Sequence, residues 1–410
     1  MKLKTTGIVL TALGLGLSSH VSATNGVNMI GIGPISRSLG GTGLAAPQDA
    51  VSAVFSNPAA MCLSESCGAP QFDFSLTTFM PRTNAKLSAT GMGTFKGKSD
   101  SDLYFIPALG VSLPIGDNGN RWRAGFALYG ISGLGVDYEK APIGGFVPFN
   151  FTELQIMKIA PSIAYSVTPD ISVGLSAHAN YASLEIGSAH PLIGKNDATD
   201  WAFGVQLGAT WNISECVTLG VSYTSAQKNT FDGIMPVMGP MGPTGAHQDF
   251  DLESPQQAGL GIAWVGLENR LTLSLDGKWL NWSDAAGYSD FGWDDQWTIG
   301  VGAQYELIED KLFVRVGYNY GKNPLRNTNF GDDMASIVGF PAIVEHHAAL
   351  GFGYQIKENL VLNVSWVHAF ENSMKSTTPN GAPFGFPPGQ ASVESSLSEN
   401  TIDVGMTWRF

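Results

Sequence analysis

Charge is scarce in this 410-residue chain: Asp, Glu, Lys and Arg make up 14 % of it, against about 25 % in an ordinary soluble domain. Basic residues are the scarcer sign, 22 against 35 acidic, for a net charge of −13. That balance argues against the basic surface with which proteins hold nucleic acid. Long apolar runs are missing as well. Gly7–Leu17 is the longest and is too short to cross a bilayer, and nothing later approaches the roughly 18 residues a spanning helix needs. There are three cysteines, and no histidine stands at ligand spacing from Cys62 and Cys67, which argues against zinc. No metal or cofactor is expected. A Gly-x-Ser-x-Gly elbow is also missing. His178, His346 and His347 therefore have no obvious nucleophile to activate, a lipid hydrolase is disfavoured, and no catalytic residue is nominated.

The two ends of the chain indicate its compartment. Lys2 and Lys4 precede the apolar Gly7–Leu17 stretch, and Val21-Ser22-Ala23 supplies the small residues that signal peptidase accepts. Residues 1–23 are expected to be a signal peptide, with the mature chain starting at Thr24. In an oxidising periplasm Cys62 and Cys67 are candidates for a disulfide; free thiols, or a bridge from one of them to Cys216, are the other readings. At the far end, Ile402, Val404, Met406, Trp408 and Phe410 alternate with Asp403, Gly405, Thr407 and Arg409. Side chains in a strand have a period of two, so the apolar set shares one face. Such a strand, ending on an aromatic C-terminus, looks like the closing strand of a bacterial outer-membrane β-barrel. It implies outer-membrane lipid and the barrel assembly machinery as partners.

The same alternation recurs between tight polar turns. These turns fall near Gly116–Asn120, Thr168–Asp170, Asn212–Glu215, Gly266–Asn269, Glu306–Asp310 and Gln355–Asn359. Each closes a hairpin. An opening strand near Gln71–Phe79 and the closing strand near Glu394–Phe410 bring the wall, over residues 70–410, to 14 antiparallel strands. Short turns at one end and long segments at the other (81–101, 134–151, 185–199, 228–251, 282–293, 322–344 and 372–393) form the outer-membrane pattern, and an even count closes the sheet. Trp122, Tyr165, Trp211, Trp264, Tyr305, Tyr354 and Trp408 lie beside the short turns, as an interfacial aromatic girdle requires. The fold class is all-β, a transmembrane β-barrel.

Residues 24–69 lack this alternation and are rich in Gly, Ala and Ser. A compact plug in the lumen suits them; a disordered periplasmic extension is the other reading. They contain Gly31-Ile32-Gly33-Pro34-Ile35-Ser36, Gly40-Gly41-Thr42-Gly43, Ala45-Ala46, Asp49-Ala50 and Asn57-Pro58-Ala59-Ala60-Met61. This ordered series resembles the FadL family of outer-membrane long-chain fatty-acid transporters, which includes transporters of aromatic hydrocarbons. The resemblance implies that residues 24–69 form a hatch inside the barrel, with Asn57, Pro58 and Ala59 part of it. Pro58 fixes its own torsion and restricts Asn57, so this turn has a structural role whether or not it meets ligand. The resemblance also implies an inward kink in the third strand. There, Gly130 and Gly133 are the candidates, because glycine in a strand marks a bulge or a close approach.

The outer segments are unusually apolar. Phe231, Ile234, Met235, Val237, Met238 and Met241, with Phe384 and Phe386, are candidates for ligand capture, or for a lid whose members pack on one another. Lys158, Lys278 and Arg315 point inward by alternation. Each is a candidate partner for a fatty-acid carboxylate, or pairs with a lumen acid such as Asp276. The expected protein is a monomer that takes up hydrophobic small molecules (fatty acids, alkanes or aromatic hydrocarbons) by loop capture, passage past the hatch and lateral release through the wall. A structural or adhesive barrel is the alternative.

Overall fold

The structure is a computed structural model that describes residues 24–62, 69–116, 121–239, 242–327, 333–377 and 389–410. Fourteen antiparallel strands make the wall. They are β1 (Gln71–Ala89), β2 (Tyr104–Ile115), β3 (Trp122–Asp137), β4 (Phe151–Ser166), β5 (Ile171–Gly187), β6 (Lys195–Ser214) and β7 (Val217–Thr224), followed by β8 (Gln257–Gly266), β9 (Leu271–Leu280), β10 (Gln296–Ile308), β11 (Leu312–Gly321), β12 (His346–Lys357), β13 (Leu360–Thr377) and β14 (Ala391–Arg409). Each pairs with its sequence neighbours, and β14 returns to β1 from Arg409↔Gln71 to Ala391↔Ala89. Closure leaves no strand of the wall without a neighbour on each side, which matters in lipid, where unpaired backbone groups are costly.

The alternation sorts side chains as the two solvents require. On β14, Ile402, Val404, Met406 and Trp408 are exposed on the outer surface, whereas Asp403 and Thr407 are buried inside. On β6, Phe203, Val205, Leu207 and Trp211 face out, and Gln206 and Thr210 are buried. Trp122, Trp211, Trp264, Tyr354 and Trp408 are exposed beside the short turns. Cations flank this belt: Arg121 lies over Tyr165 at 5.4 Å, Arg270 over Tyr305 at 5.4 Å and Lys311 over Tyr354 at 4.9 Å. These are the amphipathic pairings expected at a lipid–water boundary.

Several segments expected to be loops are instead strand. β1 runs on to Ala89, beyond the expected end near Phe79, and pairs with Gly93–Lys98. Likewise β5 and β6 stay paired as far as Gly187↔Lys195. The segment expected as the loop 228–251 is a hairpin of Gln227–Gly239 and Gly242–Ser254, hydrogen-bonded apart from the wall. Backbone pairing continues past the membrane because each peptide group still gains a partner. Only the lipid-driven alternation stops, and it was alternation that marked strands in the sequence.

Residues 24–62 lie inside the barrel. Helix α1 (Gly33–Ser38) contacts β11 to β14 and β1, and α2 (Ala50–Ser56) contacts β1 to β4. Pro34 opens α1, where its missing N–H has no partner to lose. Asp49 caps α2 by accepting from the Ser52 N–H at 2.7 Å. Helix α2 stops at Asn57, as a residue before proline must leave helical torsions, and Pro58–Cys62 turns against β3 to β6. Cys67 and the Cys62 side chain lie outside the described residues, and Cys216 is an exposed free thiol.

Wall side chains hold this segment by buried polar contacts. Asp276 Oδ2 accepts from the N–H groups of Gly43 (2.8 Å) and Leu44 (3.0 Å), and Asp73 Oδ2 accepts from Ala50 N–H (2.7 Å). Fully buried Arg37 places Nε 3.4 Å from Asp403 Oδ2, and its other nitrogens donate to Thr401 Oγ1 (2.7 Å) and approach Met29 Sδ (3.3 Å). Asp403 also accepts from Ser365 at 2.6 Å and from Thr77. Beside Gly26, Trp282 and Trp293 pack with Tyr288, their centroids 4.6 to 4.9 Å apart.

Candidate functional site

Asn57 joins the inner segment to the wall. Its Nδ2 donates to the carbonyls of Leu44 (2.7 Å) and Ala209 (3.1 Å), and its Oδ1 accepts from Ala59 N–H (3.1 Å). Asn57 Oδ1 occupies the space where Gly208 would carry a Cβ, so only glycine admits it there. None of Asn57, Pro58 and Ala59 lines either cavity described below. Asn57→Ala removes the donors to one buried and one part-buried carbonyl and is expected to cost about 1–3 kcal/mol. Limited proteolysis of the folded barrel checks this: cleavage within residues 24–62 should accelerate.

The third strand departs from the regular wall. β2 and β3 are paired from Ile115↔Trp122 to Ala108↔Tyr129 and no further. Beyond that point Tyr104–Pro107 pairs with β1 alone. β3 stays with β4, but its register shifts between Gly130 and Ser132, leaving Ile131 as a bulge. The freed edge of β3 turns to the inner segment instead. Asn28 pairs with Ser132, Ser132 Oγ donates to Val27 O at 3.0 Å, and Gly133 N–H donates to the same carbonyl at 3.4 Å.

A cavity of about 340 Å³ fills the resulting gap between β2 and β3. Met29, Phe105, Ile106, Gly130, Leu134 and Met157 are among its lining residues. Both candidate glycines line it, in different surroundings. A Cβ on Gly130 would meet Ile106 Cγ2, inside the cavity, whereas a Cβ on Gly133 would find only Leu154 O at 3.7 Å. Neither has a positive φ, so Gly130 provides space rather than an unusual torsion.

A second cavity, about 50 Å³, lies deeper in the lumen. Lys158, Lys278, His178, Gln206, Tyr129 and Phe55 are among the residues that line it. Lys158 Nζ is 3.2 Å from His178 Nδ1, and Lys278 Nζ donates to Gly41 O at 3.1 Å and lies 5.8 Å from the Phe55 ring centroid. Among the described residues no carboxylate lies within 4.0 Å of either ammonium. The expected pairing with Asp276 is therefore not made as an ion pair, because that carboxylate is turned to the Gly43 and Leu44 amides. Arg315 lines neither cavity; it donates to Gln304 Oε1 (2.6 Å) and Asn363 Oδ1 (3.0 Å).

The outer candidates divide. Phe231 and Ile234 are fully buried in the main apolar cluster, with Met235 packed against it. Val237 is half-buried and Met238 is exposed. Met241, Phe384 and Phe386 lie outside the described residues. The sequence reading missed Met29, Ile106, Tyr129 and His178 as cavity residues. The one available signal was the glycine-rich end of β3, which marked the gap but not its lining.

Residues 17–410 match the family model described as outer membrane protein transport protein (OMPP1/FadL/TodX). No curated protein sequence matches. A FadL homologue from Pseudomonas aeruginosa superposes with a TM-score of 0.71 at 14 % identity, covering 96 % of this chain and 100 % of that one. The toluene transporter TodX of P. putida gives 0.68 at 18 % identity, covering 93 % and 99 %. The toluene transporter TbuX of Ralstonia pickettii gives 0.66 at 17 %, covering 93 % and 98 %. The fold is shared across low identity, and with the family match over nearly the whole length, the chain belongs to the OMPP1/FadL/TodX family of outer-membrane transport proteins.

Proposed function

We propose that this protein takes up amphipathic carboxylic acids, long-chain fatty acids foremost, and releases them sideways through the gap between β2 and β3. The observation that carries this reading is the apolar cavity of about 340 Å³ at the place where β3 leaves β2. An apolar chain there escapes water without crossing an aqueous pore, and lateral exit into lipid keeps it dehydrated. The hatch formed by residues 24–62 blocks the axial route, and its Met29 borders the gap, so movement of this segment opens or closes the exit. No energy source is required, since transfer into lipid is downhill, and no catalytic step is assigned.

Acids are favoured over neutral hydrocarbons by Lys158 and Lys278. Two ammonium groups on one cavity with no ion-paired carboxylate supply the countercharge a fatty-acid headgroup needs. Phe55 and Tyr129, 5.6 Å apart, give the adjoining apolar surface. The test is uptake of radiolabelled oleate, an alkane and toluene by a strain that lacks the protein and by the same strain carrying Lys158→Leu or the wild type. Oleate uptake should need about 10–100-fold more substrate in the leucine variant, the worth of a charge-assisted contact. Toluene uptake should be unchanged between variant and wild type. Equal oleate uptake in both would remove Lys158 from the site, and no uptake of any of the three would end the transport reading.

A further inference from the structure

Glu399 is a buried carboxylate with no ion-paired cation among the described residues. It stands on β14, 3 % exposed, and among the described residues no Lys, Arg or His nitrogen lies within 4.0 Å of it. Arg37, the cation nearest in charge influence, is held by Asp403, Thr401 and Met29. What does face Glu399 is Thr24. The Thr24 hydroxyl donates to Oε1 at 3.1 Å and to Oε2 at 2.9 Å, and the Thr24 backbone N–H is turned to the same carboxylate. These groups are 375 residues apart in sequence. A dehydrated carboxylate without a countercharge is costly, and an ammonium placed against it offsets part of that cost.

We propose that Glu399 is a binding site for a primary ammonium, the α-ammonium of this chain's own mature N-terminus. Val21-Ser22-Ala23 ends where Thr24 begins. Hydrolysis of the Ala23–Thr24 peptide bond by signal peptidase consumes one water. Ala23 leaves with a carboxylate, and the new amine on Thr24 takes up a proton. The N–H that faces Glu399 then becomes an ammonium, and a neutral hydrogen bond becomes an ion pair. This latch fixes the segment that borders the wall gap: Val27 and Asn28 bond to β3, and Met29 lines the cavity. Processing of the leader is thereby coupled to seating of the hatch. An uncut chain keeps a neutral amide at this position and lacks the latch. The inference concerns the terminus and does not depend on which substrate is carried.

The experiment uses the full mature barrel in detergent micelles. Mass spectrometry identifies the first residue, and the rate at which an N-hydroxysuccinimide ester labels the N-terminal amine is then followed on the N-terminal peptide. Three proteins are compared: wild type, Glu399→Gln, and a variant with one glycine inserted before Thr24, which moves the ammonium away from the carboxylate. Labelling at neutral pH is expected to be at least about tenfold faster in both variants than in wild type, because an ion-paired ammonium is held protonated. The glycine insertion carries the test alone if Glu399→Gln fails to fold. Burial without an ion pair would leave Glu399→Gln as slow as wild type and would overturn the proposal. A mature chain that starts at a residue other than Thr24, or equal rates in all folded forms, would do the same.

Discussion

Arg37→Ala is expected to weaken the seating of residues 24–62 by about 3–5 kcal/mol, the cost of stranding one member of a buried ion pair. Asp403 is 0 % exposed and would keep only the hydroxyls of Ser365 and Thr77. Loss of the guanidinium also frees Thr401 and Met29, so three wall and hatch contacts fail together. The wall itself should survive, since β13, β14 and β1 remain joined by their backbone ladders. Hydrogen exchange read peptide by peptide separates the two. Amides in 24–62 should lose roughly 10²–10³-fold of their protection while β14 amides hold theirs. Replacing both residues together, Arg37→Met with Asp403→Leu, should restore much of the loss, because apolar packing often matches a buried ion pair. Unchanged protection in Arg37→Ala would mean that the hatch is seated by its apolar contacts alone.

Gly130→Val is the second large effect. The added Cβ would meet Ile106 Cγ2, and the valine methyls would project into the cavity at the wall gap. Overpacking of this kind costs about 1–3 kcal/mol and is relieved here by filling the cavity, at the expense of ligand space. Uptake should fall at least about tenfold, with the barrel still folded because the long β3–β4 ladder is made by backbone groups, which a side chain at position 130 leaves in place. Gly133→Ala is the comparison: it lines the same cavity, but its one near neighbour is a carbonyl at ordinary contact distance, so a single methyl is accommodated and uptake should stay near wild type. Cell-surface levels matched by heat-modifiable gel mobility make the comparison fair. An equal loss in both variants would assign the effect to strand distortion rather than to the gap.

The wall was legible because its rule is local. Phe203, Val205, Leu207 and Trp211 face lipid for the same reason that they alternate with Gly204, Gln206 and Thr210, and no distant residue is needed to know it. Turn residues then counted the strands. Reading failed where lipid stopped imposing the alternation. The Gln227–Ser254 hairpin and the upper part of β1 look like loops in sequence and are paired backbone in space. The site was legible in outline only. Lys158, Lys278 and Arg315 all point inward by alternation, as they do in the structure, but height in the barrel divides them. The first two meet a common cavity, and Arg315 is spent on Gln304 and Asn363.

The sequence by itself determined the solvent, the strand count and the kinship, because periodicity, turn chemistry and an ordered glycine-rich motif are all short-range. It also marked the third strand as irregular, since glycines are visible one at a time. Only the tertiary structure decided what each inward group faces. Asp276 turns to the Gly43 and Leu44 amides rather than to a lysine, a side chain at Gly130 would press on Ile106 while one at Gly133 would not, and Glu399 meets Thr24 across nearly the whole chain. A strand pattern states which face a side chain takes. It is silent on what fills the lumen opposite, because that is set by closure of the sheet around residues 24–62.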